Sequence, residues 1–466
     1  MSLRSTLALM AGSIFWMGAC SGGEATKEPS KTSVGEGMDA AVTGGKGGSG
    51  GTSNSGGKMG TDQDASDSMM NGDEDAGIDP LDPFAWTTCT PSDATVTKVE
   101  VPFTDESAQA LVTANVGFGI AYRVDMGCDE IHGAAVPAFG AIPSATPMLG
   151  QESCLSYRDL SMLYTDDGWL LAWIDNSTGS GEVHAQYFDD QLAPSTGQLQ
   201  ITDNSDLELR PLLSSLGGTP LLSYIVETTA GRSVYTKRLD TSDDPIAVVA
   251  EDDGHLPTRF AVAQMGLTGA VLAWVNENAP SGVYLQPLAQ TGDSVGSSIK
   301  LSDFSGAGAT VDLATNTRGA DTERGGAIVY SVSIGGANPK VRFHRLTEDG
   351  KLLADERTII DAPLLAQGAS IANVGDGYVI AYRALPDGNI IKEPQIRMLF
   401  ATREGNIGRD EAGRPISYEV AKATAVEGRV TVRMSVEGQL LLSWLDVEAS
   451  TGQMVLKYSR RPLNCP

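Results

Sequence analysis

Four arginines recur at nearly one distance from an aromatic residue. Arg158, Arg210, Arg259 and Arg429 stand 15, 14, 15 and 15 residues ahead of Trp173, Tyr224, Trp274 and Trp444. A guanidinium is a planar fork of donors that matches a carboxylate, sulfate or phosphate with paired hydrogen bonds. Guanidinium groups brought together from separate parts of the chain would therefore grip an anion. A second reading stays open, in which these arginines pair with acids of the same repeats, such as Asp159 and Glu208, and fasten loops. Little else in the chain suggests chemistry. The four histidines, His132, His184, His255 and His344, are scattered, with no second histidine three or four residues on and no HExxH. That pattern argues against a histidine metal centre or a Ser-His-Asp triad. No Gly-x-Ser-x-Gly elbow joins a strand to a helix, and no GxxxxGK[ST] phosphate loop occurs. Paired carboxylates for glycoside hydrolysis are possible anywhere in so acidic a chain, which makes no one pair specific. Neither a metal nor a cofactor is expected.

The elements that must position the arginines are read from the aromatics. Seven apolar runs end on an equivalent residue: Tyr122, Trp173, Tyr224, Trp274, Ser331, Tyr382 and Trp444, at steps of 51, 51, 50, 57, 51 and 62 residues. Gly168-Trp-Leu-Leu-Ala-Trp173 is the clearest copy. Each run is short, nearly continuous in apolar residues and opened by a turn residue, which suits a strand buried on both faces. A strand-like segment precedes it across a tight turn, as in Arg210-Pro-Leu-Leu-Ser-Ser215 before Leu216-Gly217-Gly218. An alternating strand follows, as in Val341-Arg-Phe-His-Arg-Leu346, and then a weaker fourth such as Gln198 to Thr202. Four antiparallel strands in about 50 residues, seven times over, predict an all-β fold, a seven-bladed β-propeller. The aromatics are expected in the core rather than stacked on a sugar. The arginines are then expected at the start of each innermost strand, around one mouth of the central channel.

The two ends of the repeat array fit each other. Thr95 to Val101 comes before any complete unit, and the last unit stops at its third strand, Val455 to Tyr458. Placing the first segment beside the last strand finishes the seventh blade and removes two exposed sheet edges. Four cysteines frame this arrangement in an exported chain, where disulfides persist. Cys89 with Cys465 would staple the closure, and Cys128 with Cys154 would join loops that open on the same face of neighbouring blades.

The chain carries a formal charge of −26, which argues against nucleic acid or an anionic membrane as a general partner. Residues 1–19 combine one basic residue with an apolar segment, Leu7 to Met17, too short to span a bilayer, and read as an export signal. Gly18-Ala19-Cys20 followed by Ser21 resembles the lipobox of bacterial lipoproteins. That resemblance implies cleavage before Cys20, a lipid anchor on its thiol and sorting of the protein to the outer membrane; a secreted or periplasmic protein is the alternative. Residues 20–83, rich in Gly, Ser and Asp, read as a flexible tether. The propeller is expected over residues 84–466, as a monomer.

Clustered arginines also resemble the way sialidases, themselves propellers, hold an acidic sugar. Their Ser-x-Asp-x-Gly-x-x-Trp motif is not matched, since Thr165-Asp-Asp-Gly-Trp169 is one residue short. The sequence therefore favours a surface-anchored, non-catalytic binding or scaffolding propeller for a protein, glycan or envelope ligand. A hydrolase or lyase acting on an acidic saccharide is the alternative.

Overall fold

Five of the seven apolar runs begin at glycine, where the backbone leaves little room for a side chain. At Gly168, with φ +105°, a Cβ would run into the carbonyl oxygen of Phe188 on the third strand. Gly325, at φ +146°, meets the carbonyl of Leu346 in the same way. The fifth unit is therefore counted from Gly325, and its aromatic is Tyr330 rather than the Ser331 on which the sequence aligns it. Alignment by hydrophobic pattern slipped by one residue because Gly325 and Gly326 are adjacent.

A computed structural model describes residues 90–464, apart from 92–95, 101–108, 115–116, 126–127, 151–155, 178, 250–255, 267–268, 279–280, 304–308, 317–324, 334–338, 354–356, 361–364, 376, 386–392, 425–428, 436 and 449. The export signal, Cys20, the tether, Cys89, Cys154, His255 and Cys465 lie outside the described residues.

Seven antiparallel sheets form the blades of a ring. The second blade is typical: Tyr157–Thr165, Gly168–Asp175, Glu182–Phe188 and Leu199–Gln200 pair in sequence order from the axis outward. The innermost strands are Gln109–Ala114, Tyr157–Thr165, Leu207–Leu216, Pro257–Met265, Thr310–Asn316, Leu365–Val374 and Val430–Met434. Each adjoins the next, and the seventh adjoins the first. The seventh blade is completed from the N-terminal side. Thr97–Glu100 runs antiparallel to its third strand, Met454–Asn464, with Thr97 opposite Tyr458 and Glu100 opposite Val455. Thr90 and Pro91 pair further along the same strand, opposite Asn464 and Leu463.

The core is a ring as well. Seven apolar clusters occur among the described residues, and each straddles one pair of neighbouring blades. A blade has two apolar faces and gives one to each neighbour, so no blade is stable alone and closing the ring buries the last pair of faces. Trp173, Trp274 and Trp444 are at most 1% exposed. On the third strand, the residue opposite the run's aromatic is itself aromatic in four successive blades. Tyr122 faces His132, Trp173 faces His184, Tyr224 faces Tyr235 and Trp274 faces Tyr284, with ring centroids 6.2, 5.8, 6.0 and 5.3 Å apart. Such cross-strand ring pairs fix register. They also account for three histidines structurally, since His344 stacks against Tyr330.

Neighbouring blades are latched close to the axis by one repeated hydrogen bond. A polar side chain on an innermost strand accepts a backbone N–H from the innermost strand of the next blade. Ser161 Oγ accepts from Leu213 at 2.8 Å, Asp312 Oδ2 from Ile371 at 3.2 Å and Ser370 Oγ from Val432 at 3.2 Å. The three acceptors hold the same register position, opposite Ala172, Val329 and Ala381, each one residue before the aromatic of its own run.

Candidate functional site

The innermost strands enclose an axial cavity of about 1030 Å³, with lining residues from all seven. The strands run in step: Asp159 near one strand start bonds Arg210 near the next, and Thr113 near one end bonds the Met434 carbonyl near another. Residues at the strand starts therefore gather at one end of the cavity. Arg210, Arg259 and Arg429 line it, joined by Arg433. Arg158 does not; it is exposed, and Asp159 lines the cavity in its place.

A backbone irregularity explains that exchange. In the second blade the pairing breaks between Arg158 and Leu160, and Asp159 takes φ +42°. In the third it breaks between Leu209 and Leu212, with Arg210 at φ +53°. Such a bulge inserts an unpaired residue and re-aims the side chains around it. Asp159 and Arg210 are thus equivalent, both standing 14 residues before their aromatic. Arg158, at 15, is paired with Ile174 instead.

The arginines that line the cavity differ in commitment. Arg429 Nη2 lies 2.9 Å from Asp312 Oδ1 and Arg433 Nη1 3.5 Å from Asp312 Oδ2. Asp312 is buried and also accepts from Ser370 Oγ. Burial pushes its carboxyl up, but Arg429, Arg433, Ser370 and the Ile371 N–H together outweigh that and hold it below its ordinary value. Arg259 also has an interaction partner. Arg210 is different: it is half-buried, its backbone N–H donates to Asp159 Oδ2 at 2.7 Å, and its guanidinium makes no ion pair with any described residue.

The acids named beside the arginines in the sequence do not neutralise them. Asp159 takes a backbone N–H and no guanidinium. Glu208 is fully buried away from the cavity, bonded to Asn204 Nδ2 at 2.8 Å, with Oε2 unpartnered. Burial first, then neighbouring Glu182 and Asp206, push its carboxyl up to about 7 against the Asn204 hydrogen bond. The acid that does bind arginines, Asp312, passed unremarked in the sequence, as did Arg433. Arg429-Val-Thr-Val-Arg433 carried a usable signal, because period-two alternation puts 429, 431 and 433 on one face. Of the cysteines, Cys128 is disulfide-bonded.

No protein-family profile matches the chain, and no curated protein matches it. Among solved structures it is similar to a protein of unknown function from Dyadobacter fermentans, at 11% identity and TM-score 0.41 over 80% of this chain and 99% of that one. It is also similar to the polysaccharide lyase Uly1, at 11% identity and TM-score 0.41 over 82% and 95%. A subtype N10 neuraminidase-like protein from a little yellow-shouldered bat virus aligns at 9% identity and TM-score 0.33 over 56% and 96%. At these scores the likenesses carry no argument, and the seven-blade ring stands on its own strand pairing.

Proposed function

We propose that this protein is a binding propeller that captures an anionic ligand, of the acidic-glycan kind, in the arginine-bearing end of its axial cavity. The observation that carries the reading is Arg210: a half-buried guanidinium in the wall of a cavity, with no carboxylate to neutralise it. Holding such a cation in a confined wall is unfavourable unless an anion arrives from outside. The rest of the chain sharpens the contrast, since a body of charge −26 repels anions everywhere except where cations are gathered. Binding is favoured over turnover because the described lining holds no histidine, tyrosine or cysteine, and its two carboxylates are Asp159, tied to the Arg210 N–H, and the exposed Glu437. The Cys20 context supports a lipid-anchored protein of the cell envelope, with the tether presenting the propeller to ligand.

A glycan array probed with the full chain tests this. Acidic glycans should be retained and their neutral counterparts not, with retention falling as salt rises and falling at least tenfold in Arg210→Ala. Uniform binding to neutral glycans would remove the proposal. Turnover of fluorogenic uronides, lost in Arg210→Ala, would replace it with the hydrolase or lyase reading.

A further inference from the structure

Three non-glycine residues adopt positive φ among the described residues: Asp159, Leu192 and Arg210. Two of them, Asp159 and Arg210, are neighbours across the interface of the second and third blades, and both line the axial cavity. The sixth blade breaks register at the corresponding place, between Gln367 and Ser370, and there the positive φ, +66°, belongs to Gly368. Glycine adopts this conformation without steric penalty; aspartate and arginine do not. The same bulge is thus built cheaply where nothing but backbone is needed, and at a steric penalty where two charged side chains face the cavity. Strain retained in a cavity wall points to function.

The pair offers more than a point charge. Asp159 Oδ2 is occupied by the Arg210 N–H, which fixes the carboxylate against the wall; Oδ1 accepts no hydrogen bond from a described residue. Arg210 lines the same cavity, and its guanidinium makes no ion pair with a described residue. A bare oxyanion gains from the guanidinium but is repelled by the carboxylate. A ligand with an acid group and hydroxyl groups on one ring satisfies both, the acid on Arg210 and a hydroxyl donating to Asp159. The cavity, about 1030 Å³, is at the upper end of the range for sites that enclose ligands of several rings and far exceeds a sulfate.

We infer that Asp159 and Arg210 form one recognition point for an acidic saccharide, selecting a uronic-acid unit over both a simple anion and a neutral sugar. This rests on the anion-binding reading above. It is tested by calorimetry on the full chain with three probes: a glucuronic-acid-terminated disaccharide, the glucose-terminated disaccharide of the same linkage, and inorganic sulfate. The acidic disaccharide should bind at least tenfold tighter than either of the others. Arg210→Gly and Asp159→Gly should each lose at least tenfold in that affinity while their melting temperatures hold or rise, because glycine relieves the positive φ. Arg210→Lys and Asp159→Asn, which keep a side chain at each position, should lose selectivity: the first loses affinity for the acid, and the second narrows the gap between acidic disaccharide and sulfate. Equal binding of sulfate and acidic disaccharide, weakened by Arg210→Gly but not by Asp159→Gly, would leave the anion reading standing and overturn this inference. Melting temperatures that fall in both glycine variants would overturn the strain argument, and absence of binding by every probe would overturn both readings.

Discussion

The two sides of the axial cavity use the same materials for opposite ends. Around the fifth to seventh blades, Asp312 gathers Arg429, Arg433, Ser370 and the Ile371 N–H into one buried hub, and every charge there has a partner. Around the second and third blades, Ser161 supplies the corresponding latch without charge, and Arg210 is left unneutralised beside Asp159. Propeller geometry explains why both are possible. Each blade presents the same register positions to the axis, so one position can fasten neighbours in some blades and be released for ligand in others. Fastening the ring at Asp312 leaves the opposite wall free to carry strain.

The comparison breaks most visibly at the hub. Asp312→Ala removes the carboxylate between two arginines and leaves the Ile371 N–H unpaired inside the protein, so a loss of about 3–5 kcal/mol is expected. Urea unfolding measures it. A loss below about 1 kcal/mol would mean that the hub fastens nothing.

The latch serines divide the two sides more finely. Ser370 both accepts from Val432 and donates to Asp312, whereas Ser161 accepts from Leu213 and donates to no described partner. Ser370→Ala is therefore expected to cost roughly 2 kcal/mol and Ser161→Ala roughly 1 kcal/mol. Equal losses on unfolding would show that the carboxylate does not strengthen its latch.

How much of this was legible beforehand depends on whether the cause was local. The apolar runs, their opening glycines and the pairing of Thr97–Glu100 with the last strand follow from short-range pattern and from the need to cover sheet edges, and the sequence carried them. The bulges were not read, because a bulge shows only as one residue more or fewer between landmarks. The spacings alone do not separate them: Asp159 and Arg210 both lie 14 residues before their aromatics, but Arg259 and Arg429, which line the cavity, lie 15, as does Arg158, which does not. Counting all four arginines as equivalent admitted Arg158 and passed over Asp159. Asp312 was hidden for another reason. Its partners lie on two other blades, more than 50 residues away in the chain, and nothing local distinguishes it from the many surface acids.

Glu208 separates the two sides by pH. Its carboxyl is pushed from 4.5 to about 7, so the folded state holds a proton that the unfolded chain has released across that interval. The sign follows: its contribution to stability is full below about 4.5 and is lost as pH rises through about 7. Glu208→Gln mimics the protonated form. It should match the natural protein near pH 5 and exceed it by roughly 1–2 kcal/mol near pH 8, with a flatter unfolding midpoint between. Asp312, held low by its arginines, has the opposite sign, so the hub loosens in acid while the Glu208 side tightens. A variant no more stable than the natural protein near pH 8 would mean that Glu208 is ionised there without penalty.

The smallest effect belongs to Arg158, and it isolates what the bulge does. Arg158 and Arg210 are alike in residue type and in approximate spacing, but Arg158 is exposed, pairs its backbone with Ile174 and has no hydrogen-bond or ion-pair partner among the described residues. Arg158→Ala should change stability by less than about 0.5 kcal/mol. It should leave the affinity for an acidic disaccharide within about twofold, roughly 0.4 kcal/mol. Arg210→Ala in the same calorimetric series should lose at least tenfold, so the ratio between the two variants measures what it means for an arginine to stand in the bulge rather than just before it. Equal losses would place Arg158 at the ligand and dissolve the distinction between the two sides.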